Sequence, residues 1–470
     1  MSRRKKPLFE DVEIFDLGAK AKAVGRVADG RVIFAHFLAP GDIADIQVTK
    51  KRKAYYEGKI VKIKQYSDLR TRPQCSYYGT CGGCKLQHID YDAQVRFKQK
   101  EVENNLTRLG KVALPEVVDP ILKSPKIYNY RNKMEFSFSA RRWLSNDEIK
   151  QADEITDREG LGFHIAGMWD KVLDINECHL QESPSNEIRN AVKKFALEND
   201  ISFFDPRAKT GLLRTLMIRN TSIGEWMLVL QVYKPEIENI EKLLQHLKDN
   251  FPQITSLQYI INEKDNDSFY DQEVVLFSGR DYIEEKMEDL VYRISAKSFF
   301  QTNSLQSLNM YQKIREFAQI QSDEIVYDLY TGTGSIAQFV AKNALKVVGV
   351  ESVPDAIADA KNNAKLNGIK NVDFVVGDMK EVFTEAFIAQ HGRANVVITD
   401  PPRDGMHQKV VENLLKLNPE RIVYVSCNSA TQARDLGLMK EQYKIVRMQP
   451  VDMFPHTHHV ENIVLLKRIR

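Results

Sequence analysis

Cysteine is scarce in this chain: five in 470 residues. So little cysteine excludes a disulfide-stapled scaffold, and the length allows several domains with cores of ordinary size. Long apolar runs are missing too. Nothing approaches the ~18 residues of a membrane-spanning helix, so no membrane association is expected. The N-terminus, MSRRKKPLFE, is basic but no apolar stretch follows it, so no secretory signal is expected. These absences predict a cytoplasmic protein, a setting in which structural disulfides are rare. Internal repeats and low-complexity linkers are also lacking.

A large net charge is absent as well, since the formal value is +3, but the charge is unevenly spread. Residues 1–72 hold 17 Lys/Arg against 9 Asp/Glu, and the remainder 50 against 55. A small basic module precedes a mildly acidic body, which suits a polyanion partner or a solvated basic surface.

Three of the five cysteines crowd into CSYYGTCGGC, as Cys75, Cys81 and Cys84; Cys178 and Cys427 lie far away. In a cytosolic chain such crowding points to metal binding or catalysis. The spacing C-x5-C-x2-C plus a remote cysteine can hold zinc or an iron–sulfur centre. It is not the C-x3-C-x2-C of radical enzymes.

The pattern predicts an α/β multidomain protein. Residues 1–68 read as an OB-type β-barrel, with alternating strands punctuated by Asp29-Gly30 and Pro40-Gly41-Asp42. Lys50, Lys51, Arg52 and Lys53 beside Tyr55 and Tyr56 suit single-stranded RNA, with phosphates on the cations and bases on the rings. Residues 69–285 read as a central α+β domain: the cysteine loop, a helix closed by Gly110, then an antiparallel sheet with flanking helices. Residues 286–470 alternate strand and helix, as a Rossmann-like parallel sheet does.

In that last part DLYTGTGSIA places Gly332 and Gly334 at a strand-to-helix turn, where backbone can approach a ligand. Glu351 ends the next strand, 23 residues after Asp328, where a carboxylate can accept ribose hydroxyls. Taken alone, this turn also fits a dinucleotide dehydrogenase. Asp378 and Asp400 end the third and fourth strands. Acidic residues after strands two, three and four suit S-adenosylmethionine better. D-P-P motifs also serve amine methylation, but an aromatic residue usually follows, and here Arg403 does. The fifth strand ends in VSCNSAT, with Cys427 at the same edge as a candidate nucleophile. Carbon 5 of a pyrimidine is not nucleophilic by itself, so its methylation needs a thiolate to add at carbon 6 and a base to remove the carbon 5 proton. MFPHTHHVEN offers Glu461 as that base, with His456, His458 and His459 nearby.

SCNSAT, MFPHTHHVE, TDPPRDG, DLYTGTGS and SFFQTNS together resemble the RNA uracil-5 methyltransferases, over essentially the whole chain. CSYYGTCGGC with distant Cys178 resembles the branch that methylates 23S ribosomal RNA and carries a 4Fe–4S cluster behind an N-terminal TRAM barrel. The resemblance implies that Cys427 is the nucleophile and Glu461 the proton acceptor. It implies that Gln301, Tyr330, Gly332, Glu351, Asp378 and Asp400 hold S-adenosylmethionine or the target uracil. It further implies that Cys75, Cys81, Cys84 and Cys178 ligate the cluster, and that Arg131, Lys133, Arg214 and Arg219 lie where RNA binds, unless these are solvated strand faces. A monomer acting on RNA, with no membrane partner, is expected. Thr331, Asp378 and Ser429 stand where some relatives carry Cys, Asn and Pro. A tRNA-directed enzyme and a non-catalytic RNA-binding iron–sulfur protein are the alternatives.

Overall fold

The computed structural model of the chain describes residues 6–116, 118–151 and 157–469. Arg3, Arg4 and Lys5 of the basic N-terminus lie outside them. Among the described residues no helix is long and apolar enough to cross a membrane.

Strands β1 (Leu8–Gly18), β2 (Lys22–Arg26), β3 (Val32–Ala35), β4 (Ile43–Lys51) and β5 (Tyr55–Gln65) form a closed barrel. Closure comes from β1 pairing with both β2 and β4. Alternation turns Val12, Ile14, Ile33, Ile46 and Val48 into the barrel core. Tyr56 belongs to that core too, 2 % exposed, with Arg31 4.2 Å over its ring. It is not the base-stacking ring the sequence suggested; of that pair only Tyr55 reaches the surface, half-buried.

Helix α1 (Tyr91–Asn104) follows the cysteine loop, its first turn capped by the Asp90 carboxylate on Asp92 N and Ala93 N. It runs on as a π-helical turn, Asn105–Gly110. The central sheet has seven strands in the order β12-β11-β10-β9-β6-β7-β8. These are β6 (Lys133–Ser139), β7 (Gly160–His164), β8 (Val172–Asp174), β9 (Leu213–Asn220), β10 (Trp226–Val232), β11 (Ile254–Ile261) and β12 (Val275–Gly279). A short helix α2 (Asn146–Gln151) precedes β7, and α3 (Ser185–Glu198) and α4 (Ile237–Asn250) pack against one another. The sheet is not purely antiparallel as expected: β10 and β11 run parallel, because α4 is a crossover helix between them.

Hairpin β13 (Tyr282–Met287) and β14 (Leu290–Ser295) comes next. The C-terminal sheet has the order β17-β16-β15-β18-β19-β21-β20. Its elements are α5 (Ser304–Ala318), β15 (Ile325–Leu329), α6 (Ser335–Ala341), β16 (Lys346–Glu351), α7 (Pro354–Leu366), β17 (Val372–Val376), α8 (Glu385–His391), β18 (Val396–Thr399), α9 (Gln408–Leu417), β19 (Arg421–Ser426), α10 (Ser429–Met439), β20 (Tyr443–Val451) and β21 (Glu461–Arg468). Six strands run the same way, and β21 alone is reversed, against expectation: it lies between β19 and β20 and pairs antiparallel with both. The loop from β20 to β21 is too short for the dozen or more residues a parallel crossover requires.

Two boundaries also differ from the sequence reading. The cut after residue 285 falls inside β13, whose partner strand docks on α7 through Val291 N to Asn367 Oδ1 (2.9 Å) and Arg293 N to Asn363 Oδ1 (2.8 Å). And α1, assigned to the central domain, packs on the C-terminal sheet. Val95, Val102 and Leu106 share a core with Leu329, Val350, Val397 and Tyr424. At the π turn Asn105 Nδ2 donates to Ser429 Oγ (2.8 Å), and a Cβ on Gly110 would meet Ala433 O at 2.5 Å, so only glycine permits that approach to α10.

Candidate active site

The C-terminal ends of the parallel strands gather most of the residues the sequence singled out. Beyond β15 the chain turns sharply: Tyr330 has φ 60°, Gly332 55° and Gly334 74°. The two glycines differ. A Cβ on Gly334 would strike the Phe374 ring at 2.6 Å, whereas one on Gly332 would meet nothing within 4 Å. Gly334 is there for packing, and Gly332 faces open space of the kind a ligand fills. Glu351 closes one side of that space, accepting from Gly332 N (3.2 Å), Ser352 N (2.7 Å) and Val353 N (3.1 Å).

Beneath the turn lies Asp328, which in the sequence serves only as a spacing mark. Its carboxylate accepts from Ala337 N (3.0 Å) and Thr331 Oγ1, and its other oxygen has no partner among the described residues. Burial pushes its carboxyl up to about 7. Asp400, after β18, is likewise pushed up to about 7, by burial and then by the Asp328 charge. An orphaned buried carboxylate oxygen, a second raised carboxyl and an open glycine fit a ligand that carries positive charge and a ribose. Asp378 differs. It is bound by its own loop, with Lys380 N at 2.9 Å and the Lys380 ammonium at 3.1 Å, and these hold its carboxyl below the usual range.

Gln301 reaches the same edge from the segment before α5. Asn132 Nδ2 donates to its carbonyl (3.0 Å), and Asn303 caps α5 while donating to Met453 O (2.9 Å). Two residues before Gln301, Phe299 O accepts from Thr333 Oγ1 (3.4 Å), so the segment passes over the glycine turn.

Register brings Cys427 and Glu461 together. Ser426 on β19 pairs with Asn462 on β21, so Cys427, just past the end of β19, and Glu461, the first residue of β21, lie side by side. Burial pushes the Cys427 thiol up to about 11, and the Glu461 and Asp400 charges add to this. Burial and then Asp400 push Glu461 up to about 8. The cation opposing both shifts is Arg403. Asn428 Nδ2 (3.0 Å) and Thr431 Oγ1 (3.1 Å) both donate to Arg403 O, tying its loop to the start of α10. In the sequence Arg403 stands out only as a departure from an aromatic; its place after TDPP, at a strand end facing the cysteine, was the available signal. The three histidines are neutral near pH 7: burial lowers His456 and His458 to about 4 and His459 to about 3. His456 is stacked on Tyr128 at 4.4 Å and its Nδ1 lies 3.2 Å from Gln94 Nε2.

Cys75, Cys81, Cys84 and Cys178 line one cavity of about 980 Å3, and none is disulfide-bonded. Remote Cys178 is brought in by Tyr77 of the cysteine loop, whose hydroxyl accepts from Asn176 N (2.9 Å). Among the described residues no three His, Cys, Asp or Glu side chains already converge as ligands of a single ion. Burial is the main force raising these thiols, Cys84 to about 12 and Cys178 to about 11, and their mutual proximity adds to it. Four free thiols on one cavity are a donor set that a metal centre would use.

A tRNA (uracil-5-)-methyltransferase profile matches residues 217–469, over half of the chain, and a TRAM domain profile matches residues 10–61. The chain belongs to the RNA uracil-5 methyltransferase family. An uncharacterized RNA methyltransferase of Bacteroides thetaiotaomicron is 52% identical over 96% of this chain and 100% of its own. One from Porphyromonas gingivalis is 52% identical over 97% and 99%. Among solved structures, the tRNA (uracil-54, C5)-methyltransferase of Pyrococcus abyssi, in complex with S-adenosyl-L-homocysteine, has a TM-score of 0.74 and 28% identity, covering 97% of this chain and 99% of that one.

Two of the four cations expected to face RNA in this uracil-5 methyltransferase do not. Arg214 is buried and donates to Asn262 O (2.6 Å) and Lys264 O (2.7 Å). Arg219 is buried against Ser295 O and Ser298 O, both at 3.1 Å. Arg214 is held by the β11–β12 loop, where Asp267 pairs with it at 2.7 Å, and Arg219 by the carbonyls at and after the end of β14, so they are neither RNA contacts nor solvated strand faces. Arg131 and Lys133 do border the cysteine-lined cavity.

Proposed function

We propose that the chain transfers the methyl group of S-adenosylmethionine to carbon 5 of a uridine in RNA, with Cys427 as nucleophile and Glu461 as base. The observation that carries this reading is the pairing of a thiol and a buried carboxyl at adjacent ends of β19 and β21, beside the open glycine turn. Cys427 Sγ adds to carbon 6 of the uracil, and the ring electrons move to give an enolate. S-adenosylmethionine, when bound, supplies the electrophilic methyl group that carbon 5 takes up. Glu461 then removes the carbon 5 proton, the Sγ–carbon 6 bond breaks and the ring double bond returns. Arg403 and the start of α10, just past Cys427, offset only part of the burial that raises the thiol to about 11, so its proton leaves as the attack begins. Glu351, Gly332, Tyr330 and Asp378 are assigned to the cosubstrate, and Gln301 and Asp400 to the target base or the cosubstrate. One chain supplies every group, so a monomer in the cytoplasm suffices.

The substrate we assign is 23S ribosomal RNA, and Cys75, Cys81, Cys84 and Cys178 we assign to a 4Fe–4S cluster. The support is the cysteine spacing and the gathering of the four thiols on one cavity. The near-complete overlap with a tRNA-directed enzyme favours tRNA as the second reading. Mapping 5-methyluridine in rRNA and tRNA from cells with and without the gene decides. Loss from 23S rRNA supports the first reading, loss from tRNA the second, and loss from neither overturns both.

A further inference from the structure

The turn between β7 and β8 points two large apolar side chains at solvent: Trp169, 64% exposed, and Met168, 46% exposed. Lone exposed apolar residues are ordinary and need no explanation. This pair is set apart by where it sits and how it is held. Both residues border the cavity that also takes in Arg131, Lys133, Thr302 and His459. It is the cavity that the four cysteines line, and its wall ends at neighbours of the catalytic residues: Thr302 follows Gln301, and His459 lies two residues before Glu461. The turn is closed by its own backbone, with Met168 N to Ile165 O (2.9 Å) and Ile165 N to Lys171 O (2.9 Å). Arg207 lies 5.8 Å from the Trp169 ring centre, anchored by Asp170 at 2.6 Å. Arg131 and Lys133 line the same cavity, Lys133 paired with Glu135 at 2.7 Å.

An exposed indole on a fixed turn, with Arg207 at its ring and Arg131 on the wall of the same cavity, has the makings of a base-stacking platform. Stacking a base on an aromatic ring is worth ~1–3 kcal/mol and tolerates any sequence. We propose that Trp169 stacks an unpaired base of the substrate RNA, a few nucleotides along from the target uridine, while Arg131 and Arg207 follow the backbone. This inference rests on the reading of RNA as substrate. It adds a second point of grip away from the reacting base, which helps hold a loop open once its uridine has been flipped out.

The test uses the full-length protein with its metal centre and a 12-nucleotide oligouridylate. Trp169→Ala is expected to weaken binding about 5- to 150-fold, the ~1–3 kcal/mol of one stacked base. Trp169→Phe restores most of it. The salt slope stays as in the wild type, because no cation is removed. Tryptophan fluorescence of the wild type falls as RNA binds, and Trp169→Phe abolishes that change although Trp143 and Trp226 remain. Wild-type affinity in Trp169→Ala, absence of quenching, or no binding of the oligonucleotide by the wild type each overturns the proposal. A protein with quenching and the expected affinity loss, but no 5-methyluridine formed on any RNA, keeps the platform and overturns the reaction. Methylation with unaltered binding in Trp169→Ala does the reverse.

Discussion

Lys98 and Asp452 form a buried ion pair at 2.6 Å, joining α1 to the loop that leads into Glu461. The same ammonium donates to Phe454 O at 3.1 Å, and Tyr91 OH donates to the other Asp452 oxygen at 2.9 Å. Removing one partner leaves a buried charge alone, which costs about 3–5 kcal/mol. Lys98→Met is therefore expected to lower the melting temperature by several degrees and to reduce kcat by loosening the Glu461 loop. Cosubstrate affinity, set at the other side of the sheet edge, stays within about twofold. Thermal unfolding, isothermal titration and single-turnover methylation check the three parts.

Cys427 and Glu461 are separable by what accumulates. Cys427→Ala is expected to bind RNA and cosubstrate and to form no adduct. Glu461→Gln keeps the thiol, so carbon 6 is attacked and the methyl group transferred, but elimination stalls. A methylated protein–RNA adduct that survives denaturing electrophoresis is the expected result. An adduct in Cys427→Ala would reassign the nucleophile.

The raised Glu461 carboxyl gives a pH signature with a definite sign. A base must be ionised, so kcat/KM in the free enzyme is expected to rise through pH 7 and level off above about 8. Stability runs the other way. The folded state holds the Glu461 proton more tightly than the unfolded chain, so its contribution is fully present below about pH 4.5 and is lost as pH rises through about 8. Glu461→Gln removes the cost of an ionised buried group. Its stability relative to the wild type is expected to grow by on the order of a few kcal/mol between pH 5 and pH 8. Denaturant unfolding at several pH values measures it.

Replacing Cys178 is expected to lose the metal centre as fully as replacing Cys81, since both thiols line the same cavity. Iron and sulfide analysis of anaerobically purified protein reads this directly. Stoichiometric zinc without iron in the wild type would reassign the site.

The barrel's cations are best tested by neutralising them. Deleting the barrel would uncover Leu86, Ile89 and Ala93, which pack with Ala21 and Ala39. Changing Lys50, Lys51 and Lys53 to Gln is expected to lower the salt slope of RNA binding by up to about 0.7 for each phosphate no longer neutralised, at unchanged cosubstrate affinity. A slope equal to the wild type would place the RNA elsewhere.

Much of this was legible in sequence because it is local. The glycine turn, the acidic strand ends and the helix over residues 91–104 follow from short-range patterns. What escaped was set by distant partners. Tyr56 alternates correctly but on the barrel's inner face, which a strand pattern alone does not assign. Arg214 and Arg219 look like exposed cations until the segments at 262–264 and 295–298 arrive to take their protons' hydrogen bonds. The reversed direction of β21 depended on counting the residues between β20 and β21, not on their composition. Arg403 was visible but had no role until the β18 and β19 ends were placed side by side.

The seating of α1 on the last strands has a consequence for how the protein is made. Tyr91 and its partner Asp452 are 361 residues apart. At synthesis rates of about 5–20 residues per second, the helix emerges from the ribosome about 20–70 s before its partner exists. Through that interval Val95, Val102 and Leu106 have no sheet to cover them. The early part of the nascent chain is thus a natural client for a chaperone. A message cut short before β19 yields a product with a sticky helix rather than two finished domains and a stub.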